Sequence, residues 1–207
     1  MRPLPRTFFA RPTLEVAPDL LGRTLYAVVR GRACGGRIVE TEAYIGEEDP
    51  ACHAHRGPTP RNQTMYGPPG AAYVYFTYGN HWMLNFVIER EGFPAAVLIR
   101  ALEPTENPEF MRRRRPHIRR EYDLTNGPGK LTAALGITGK DDGARLGGPR
   151  LIVGGTPDRS MQIATSGRIG VIEGSDRPWR FYVAGSPWVS AYRRGVRQRR
   201  RTTETVS

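Results

Sequence analysis

The sequence predicts one mixed α+β domain, in which a curved, mainly antiparallel β-sheet is surrounded by helices. Three observations carry the prediction. Runs rich in β-branched and aromatic residues recur at 24–29, 37–44, 73–78, 82–89 and 95–101, several of them joined by short glycine-containing links. Helical patterns are few and short. The 207 residues suit one sizeable core, and neither an internal repeat nor a linker divides them.

Residues 12–21 (P-T-L-E-V-A-P-D-L-L) read as a short helix with Leu14, Leu20 and Leu21 available for burial, and Pro18 as its weak point. Gly22 ends it, and 24–29 follows as a strand. The run G-R-A-C-G-G turns the chain back into the strand 37–44, R-I-V-E-T-E-A-Y, so antiparallel pairing of these neighbours is the simplest topology. Side chains two apart on a strand share a face, so Glu40, Glu42 and Tyr44 project together. Adjacent carboxylates repel, which makes one of them a candidate for chemistry. The plain alternative is an edge strand carrying solvated acids.

Residues 45–72 show little regular structure, yet they hold C-H-A-H-R and T-P-R-N rather than serine and glycine alone, which favours function. The aromatic strand 73–78, Y-V-Y-F-T-Y, places Tyr73 and Tyr75 on one face and Val74 and Phe76 on the other. Strands at 82–89 and 95–101 come next. A helix begins near Pro108 and runs into Arg112–Arg115 before Pro116 interrupts it. Gly127–Gly129 lead into a short helix over 130–135 with Gly136 as its cap. Strands at 150–153, 168–172 and 180–183 complete the sheet, so a folded domain is expected over 1–190, with a flexible basic tail over 191–207.

Net charge is +11, which points to a polyanionic partner such as nucleic acid. No apolar run is long enough to span a bilayer, no long basic amphipathic helix suits a membrane surface, and the first residues lack a signal-peptide core. The expected compartment is therefore the cytoplasm, at the nucleoid in a bacterium. Two cysteines make no disulfide framework. Asp49, Cys52, His53, His55 and His81 are metal-ligating residue types, but C-H-x-H matches no common zinc spacing, so no metal is expected. Cys52 and His53 are adjacent and diverge, which disfavours a nucleophilic pair. Tyrosines beside an irregular loop in a basic protein fit base stacking; the plain reading is core.

The ordered set R-I-V-E-T-E-A-Y, T-P-R-N, Y-V-Y-x-x-Y-G, L-I-R-A-L-E-P, N-G-P-G-K-L and R-F-Y-V-x-G-S-P-W-V-S resembles the alkyladenine (3-methyladenine) DNA glycosylase family from about Leu14 to Ser190. The resemblance helps to set the strand order and implies these roles. Glu42 activates water, and Arg100 and the Ile169 backbone carbonyl help position it. Tyr44, His53 and Tyr75 sandwich a flipped base, Asn85 discourages guanine from the pocket floor, Tyr78 fills the vacated duplex position, and Met65 and Asn80 line the groove. The implied protein is a monomeric, monofunctional enzyme acting on damaged purines in double-stranded DNA without a cofactor. A non-catalytic nucleic-acid-binding module using the same basic, tyrosine-rich face is the alternative.

Overall fold

A computed structural model describes residues 1–77, 79–157 and 160–191; the expectations for Tyr78 and for the tail beyond residue 191 lie outside these. The strands are β1 (Thr24–Val29), β2 (Arg32–Ile45), β3 (Ala72–Thr77), β4 (His81–Val87), β5 (Ala95–Glu106), β6 (Leu151–Gly154), β7 (Ile163–Ser166) and β8 (Arg180–Val183). The helices are α1 (Arg6–Phe9), α2 (Thr13–Asp19), α3 (Pro108–Arg114) and α4 (Pro128–Leu135). Strands run in the order β3-β4-β5-β2-β1-β6, with β8 on β2 and β7 on β8, and these pairings are antiparallel. The α+β domain expected from the sequence is the one the chain forms.

β2 is the central strand. Arg30 (φ 50°) and Gly31 (φ 74°) make the two-residue turn that joins it to β1, both in the left-handed region that a type I′ turn requires. The turn expected over 31–36 is therefore already complete at Gly31, and Arg32–Gly36 belong to the strand. A Cβ on Gly35 would lie 2.1 Å from the Leu25 carbonyl oxygen, and one on Gly36 2.0 Å from that of Glu103. Bare backbone at these two positions lets the neighbouring strands close in and the sheet curl.

Other boundaries shift for local reasons. β4 ends at Val87, and Glu89 at φ 68° turns the chain beyond it. β5 runs on to Glu106, past the expected end at 101, because β2 continues to partner it. The strand expected over 168–172 is a loop: Gly170 sits at φ 79°, and the Ile169 amide serves a side chain instead of a strand partner. The strand on that side is β7, five residues earlier. α4 ends at Gly136 (φ 64°), as expected.

One face of the sheet, with Val74, Leu84, Phe86, Val97 and Ile99, packs against Val16 and Ala17 of α2, Met111 of α3 and Leu131 and Leu135 of α4. A smaller cluster forms elsewhere, where Tyr73 and Ala96 meet Cys52, Ala54 and Met65 of the 45–72 loop, with Tyr44 and Tyr75 packed against it. The cavity described next is lined partly by this second cluster.

Candidate active site

Directly paired residues on antiparallel strands project to one side of a sheet. The register Tyr73–Asn85–Leu98–Glu42–Arg180 therefore places five side chains from β3, β4, β5, β2 and β8 in one row on the cavity side. Tyr75 opposite Met83 and Tyr44 opposite Ala96 extend that surface. Together with the loops, these residues bound a cavity of about 350 Å³, lined among others by Tyr44, His53, Tyr75, Asn85, Arg100 and Ile169. Asn62 of T-P-R-N, 1% exposed, fixes the shape of the loop that carries His53 by donating to the carbonyls of His53 (2.9 Å) and Gly57 (3.0 Å).

Glu40 and Glu42 are 0% exposed and β2 is flanked on both sides, so the solvated edge strand is excluded. Arg100 bridges the two acids, Nε to Glu40 at 3.0 Å and Nη1 to Glu42 Oε2 at 3.0 Å. The Tyr44 hydroxyl donates to the same Oε2 at 2.9 Å, and the Ile169 amide donates to Oε1 at 2.7 Å. Glu42 thus stands one hydrogen bond behind the cavity wall, held by three residues that line it. Burial, then the neighbouring Glu42 charge, raises the Tyr44 phenol pKa well above its ordinary value, so it stays a donor. Burial works against the Arg100 charge, but Glu42 and Glu40 outweigh it and raise its pKa. Glu40 has a different set of partners: it accepts from Arg180 Nε at 2.6 Å, the Ser190 amide at 2.8 Å and the Ser190 hydroxyl at 2.7 Å. It ties the end of the W-V-S motif to the sheet.

His53 Nδ1 lies 2.9 Å from the Tyr73 hydroxyl, and burial, followed by the Arg61 charge, lowers its pKa. Its ring meets Tyr75 edge-on, with centroids 4.4 Å apart at 71°. Asn85 is 3% exposed and donates through Nδ2 to the Tyr73 carbonyl, which leaves its side-chain oxygen available as an acceptor. Met65, which the resemblance puts near the DNA groove, is 2% exposed and forms part of the cavity wall. Asn80 is exposed in the turn between β3 and β4. Cys52 is buried, its thiol pKa pushed up to about 11, and His55 bonds the Glu47 carbonyl. Among the described residues, no three histidine, cysteine or acidic side chains converge on a point.

Sequence reasoning missed the contributions of Asp49, Asn62, Arg168 and Arg180. The side chains of Arg168 and Asp49, both 0% exposed, form a two-pronged ion pair at 2.6 and 2.7 Å. Burial opposes ionisation of Asp49, but hydrogen bonds from Arg168 and two backbone amides prevail and lower its pKa. A separation of 119 residues leaves no spacing signal for such a pair.

The model of the family described as methylpurine-DNA glycosylase matches residues 7–187. A protein of Methanocella arvoryzae is 51% identical over 191 residues, covering 90% of this chain and 95% of its own length. One from Burkholderia cenocepacia is 51% identical over 190 residues (90% of each chain), and one from Streptomyces avermitilis 46% over 205 (97% of this chain, 96% of its own). All three are named after 3-methyladenine DNA glycosylase. The row of sheet residues, the buried acid behind an aromatic cavity and these relationships agree: the chain belongs to the methylpurine-DNA glycosylase family.

Proposed function

We propose that this DNA glycosylase acts on 3-methyladenine and related damaged purines, 7-methylguanine, hypoxanthine and ethenoadenine among them, in double-stranded DNA. It works as a monomer, in the cytoplasm or at a bacterial nucleoid, turning the lesion out of the duplex and leaving an abasic site. The observation that carries the reading is the placement of Glu42, buried but bonded to three residues of an aromatic cavity.

Each carboxylate oxygen offers about two acceptor positions. Among the described residues, Oε2 serves two donors and Oε1 only the Ile169 amide, so Oε1 keeps an acceptor position for a water. That water attacks C1′ of the sugar, the C1′–N bond breaks, its electron pair leaves on the purine, and the water proton passes to Glu42. The carboxylate charge also stabilises the positive character that builds on the sugar. A methylated cationic purine departs neutral, and tyrosine faces attract it by roughly 0.5–2 kcal/mol. Asn85, buried at the cavity floor, discourages guanine by crowding its exocyclic amino group. The lesion 7-methylguanine, which keeps that group, is therefore released through its cationic activation and more slowly than 3-methyladenine. Tyr78, next to Thr77 of the cavity rim, fills the duplex gap. Two rings stacked on either side of a base stand about 7 Å apart, twice the usual carbon–carbon contact of about 3.5 Å. His53 and Tyr75, with ring centroids 4.4 Å apart, therefore act as one composite surface, with the base seated beside it near Tyr44.

A backbone-cutting glycosylase uses an amine nucleophile. Lys130 is held by Asp123 at 2.6 Å and Asn126 at 2.7 Å, and neither it nor Lys140 lines the cavity. The reaction therefore stops at the abasic site. The test is a panel of duplexes, each carrying one of these lesions. Base release with strand scission only after alkali supports the reading. Binding with no base release from any duplex favours the binding module.

A further inference from the structure

The buried pair of Asp49 and Arg168 has no part in the chemistry above, and neither residue lines the cavity. Desolvating both charges makes such a pair weak support for stability by itself, and specificity of arrangement is its better-attested use. What it arranges is the site. Asp49 also accepts from the amides of Ile45 and Ala51, each at 3.2 Å. Arg168 also donates to the carbonyls of Ala43 at 2.9 Å and Gly174 at 3.3 Å. Its guanidinium lies over the Tyr44 ring, 4.7 Å from the centroid. Three separately encoded segments meet on this pair: the end of β2 with Glu42 and Tyr44, the loop leading to His53, and the loop from Arg168 through Ile169.

Ile169 follows Arg168 directly, and its amide alone, among the described residues, holds Glu42 Oε1. Arg100 and Tyr44 both grip Oε2, so the twist of the carboxylate about its last bond is set by those two contacts together with the amide on Oε1. We infer that Asp49 and Arg168 are a positioning pair, which fixes the Ile169 amide and thereby aims the free side of Glu42 at the sugar. The inference rests on the role given to Glu42 above. The pair touches no substrate atom; misalignment of the group it positions is what lowers the rate.

Arg168→Lys keeps the charge but loses the fork, and Asp49→Asn keeps the size but loses the charge. Each is titrated with two duplexes. One carries a pyrrolidine abasic nucleotide, whose protonated nitrogen stands where positive charge builds on the sugar; the other carries neutral tetrahydrofuran. Affinity for the pyrrolidine duplex should fall about tenfold or more, and that for tetrahydrofuran less than about twofold, because only the first depends on the aim of the carboxylate. Equal losses on both duplexes, or no loss in either variant, overturn the inference. So does failure of both variants to fold, which would make the pair an element of the fold alone. Glu42→Gln is run alongside. If it binds both duplexes as the parent does, the role of Glu42 falls and the pair with it. If only Glu42→Gln loses the pyrrolidine duplex, the pair alone is removed.

Discussion

Arg100 separates two fully buried carboxylates, and removing it would leave Glu42 without its ion-pair partner, while Glu40 keeps Arg180 at 2.6 Å. Losing one partner of a buried ion pair costs about 3–5 kcal/mol. We therefore expect Arg100→Met to lower the melting temperature by at least about 6 °C, at about 2–4 °C per kcal/mol for a chain of this size. Calorimetry checks this; an unchanged melting temperature would mean that Glu42 finds another partner. His53 gives a pH signature. Its folded pKa lies below the ordinary 6.5, mainly through burial, so the unfolded chain takes up the proton first as pH falls. The stability tied to neutral His53 is complete above about 6.5 and is lost between that value and the lower folded one. Thermal melts between about pH 7 and about pH 5 should fall more steeply in the parent than in His53→Gln.

At the scale of elements, the site depends on how closely β1 and β5 approach β2. Gly36→Ala would drive a methyl group into the Glu103 carbonyl, and backbone cannot move aside as a side-chain tip can. We expect a loss at the upper end of the roughly 1–3 kcal/mol typical of overpacking. Gly31→Ala meets open space and bears only the left-handed penalty of about 1–2 kcal/mol. Urea melts of the two variants rank them, and the reverse order would contradict the close approach. The same strand shows what the sequence could reveal. Alternation alone put Glu40, Glu42 and Tyr44 on one side, and all three join one hydrogen-bond network through Arg100. Alternation likewise separated Tyr73 and Tyr75, which line the cavity, from Val74 in the main core. It misled at 168–172, where apolar Ile169, Val171 and Ile172 suggest a strand but a distant acid claims the Ile169 amide. Tertiary demand overrode local preference there, and no local pattern announces a partner that far along the chain.

For the whole molecule, charge and chemistry should separate experimentally. With a net charge of +11, binding to undamaged duplex should depend steeply on salt. If it neutralises about six phosphates, affinity should fall on the order of 10³-fold between about 50 and 200 mM salt, while the single-turnover rate of saturated enzyme changes little. Fluorescence anisotropy measures the first and quenched excision the second; a flat salt response would show that the positive charge is spread away from the DNA. Among the described residues no helix is long and apolar enough to cross a membrane. The family relationship settles the class of enzyme, and the buried acid behind the aromatic cavity carries the account of how it works. The most direct measurement is therefore single-turnover excision of ethenoadenine or hypoxanthine by Glu42→Gln, with lesion-duplex affinity measured in parallel. The account predicts that excision disappears while affinity stays within about threefold of the parent, since a general base matters to the transition state more than to binding. Excision at the parent rate would contradict it and remove Glu42 from the mechanism.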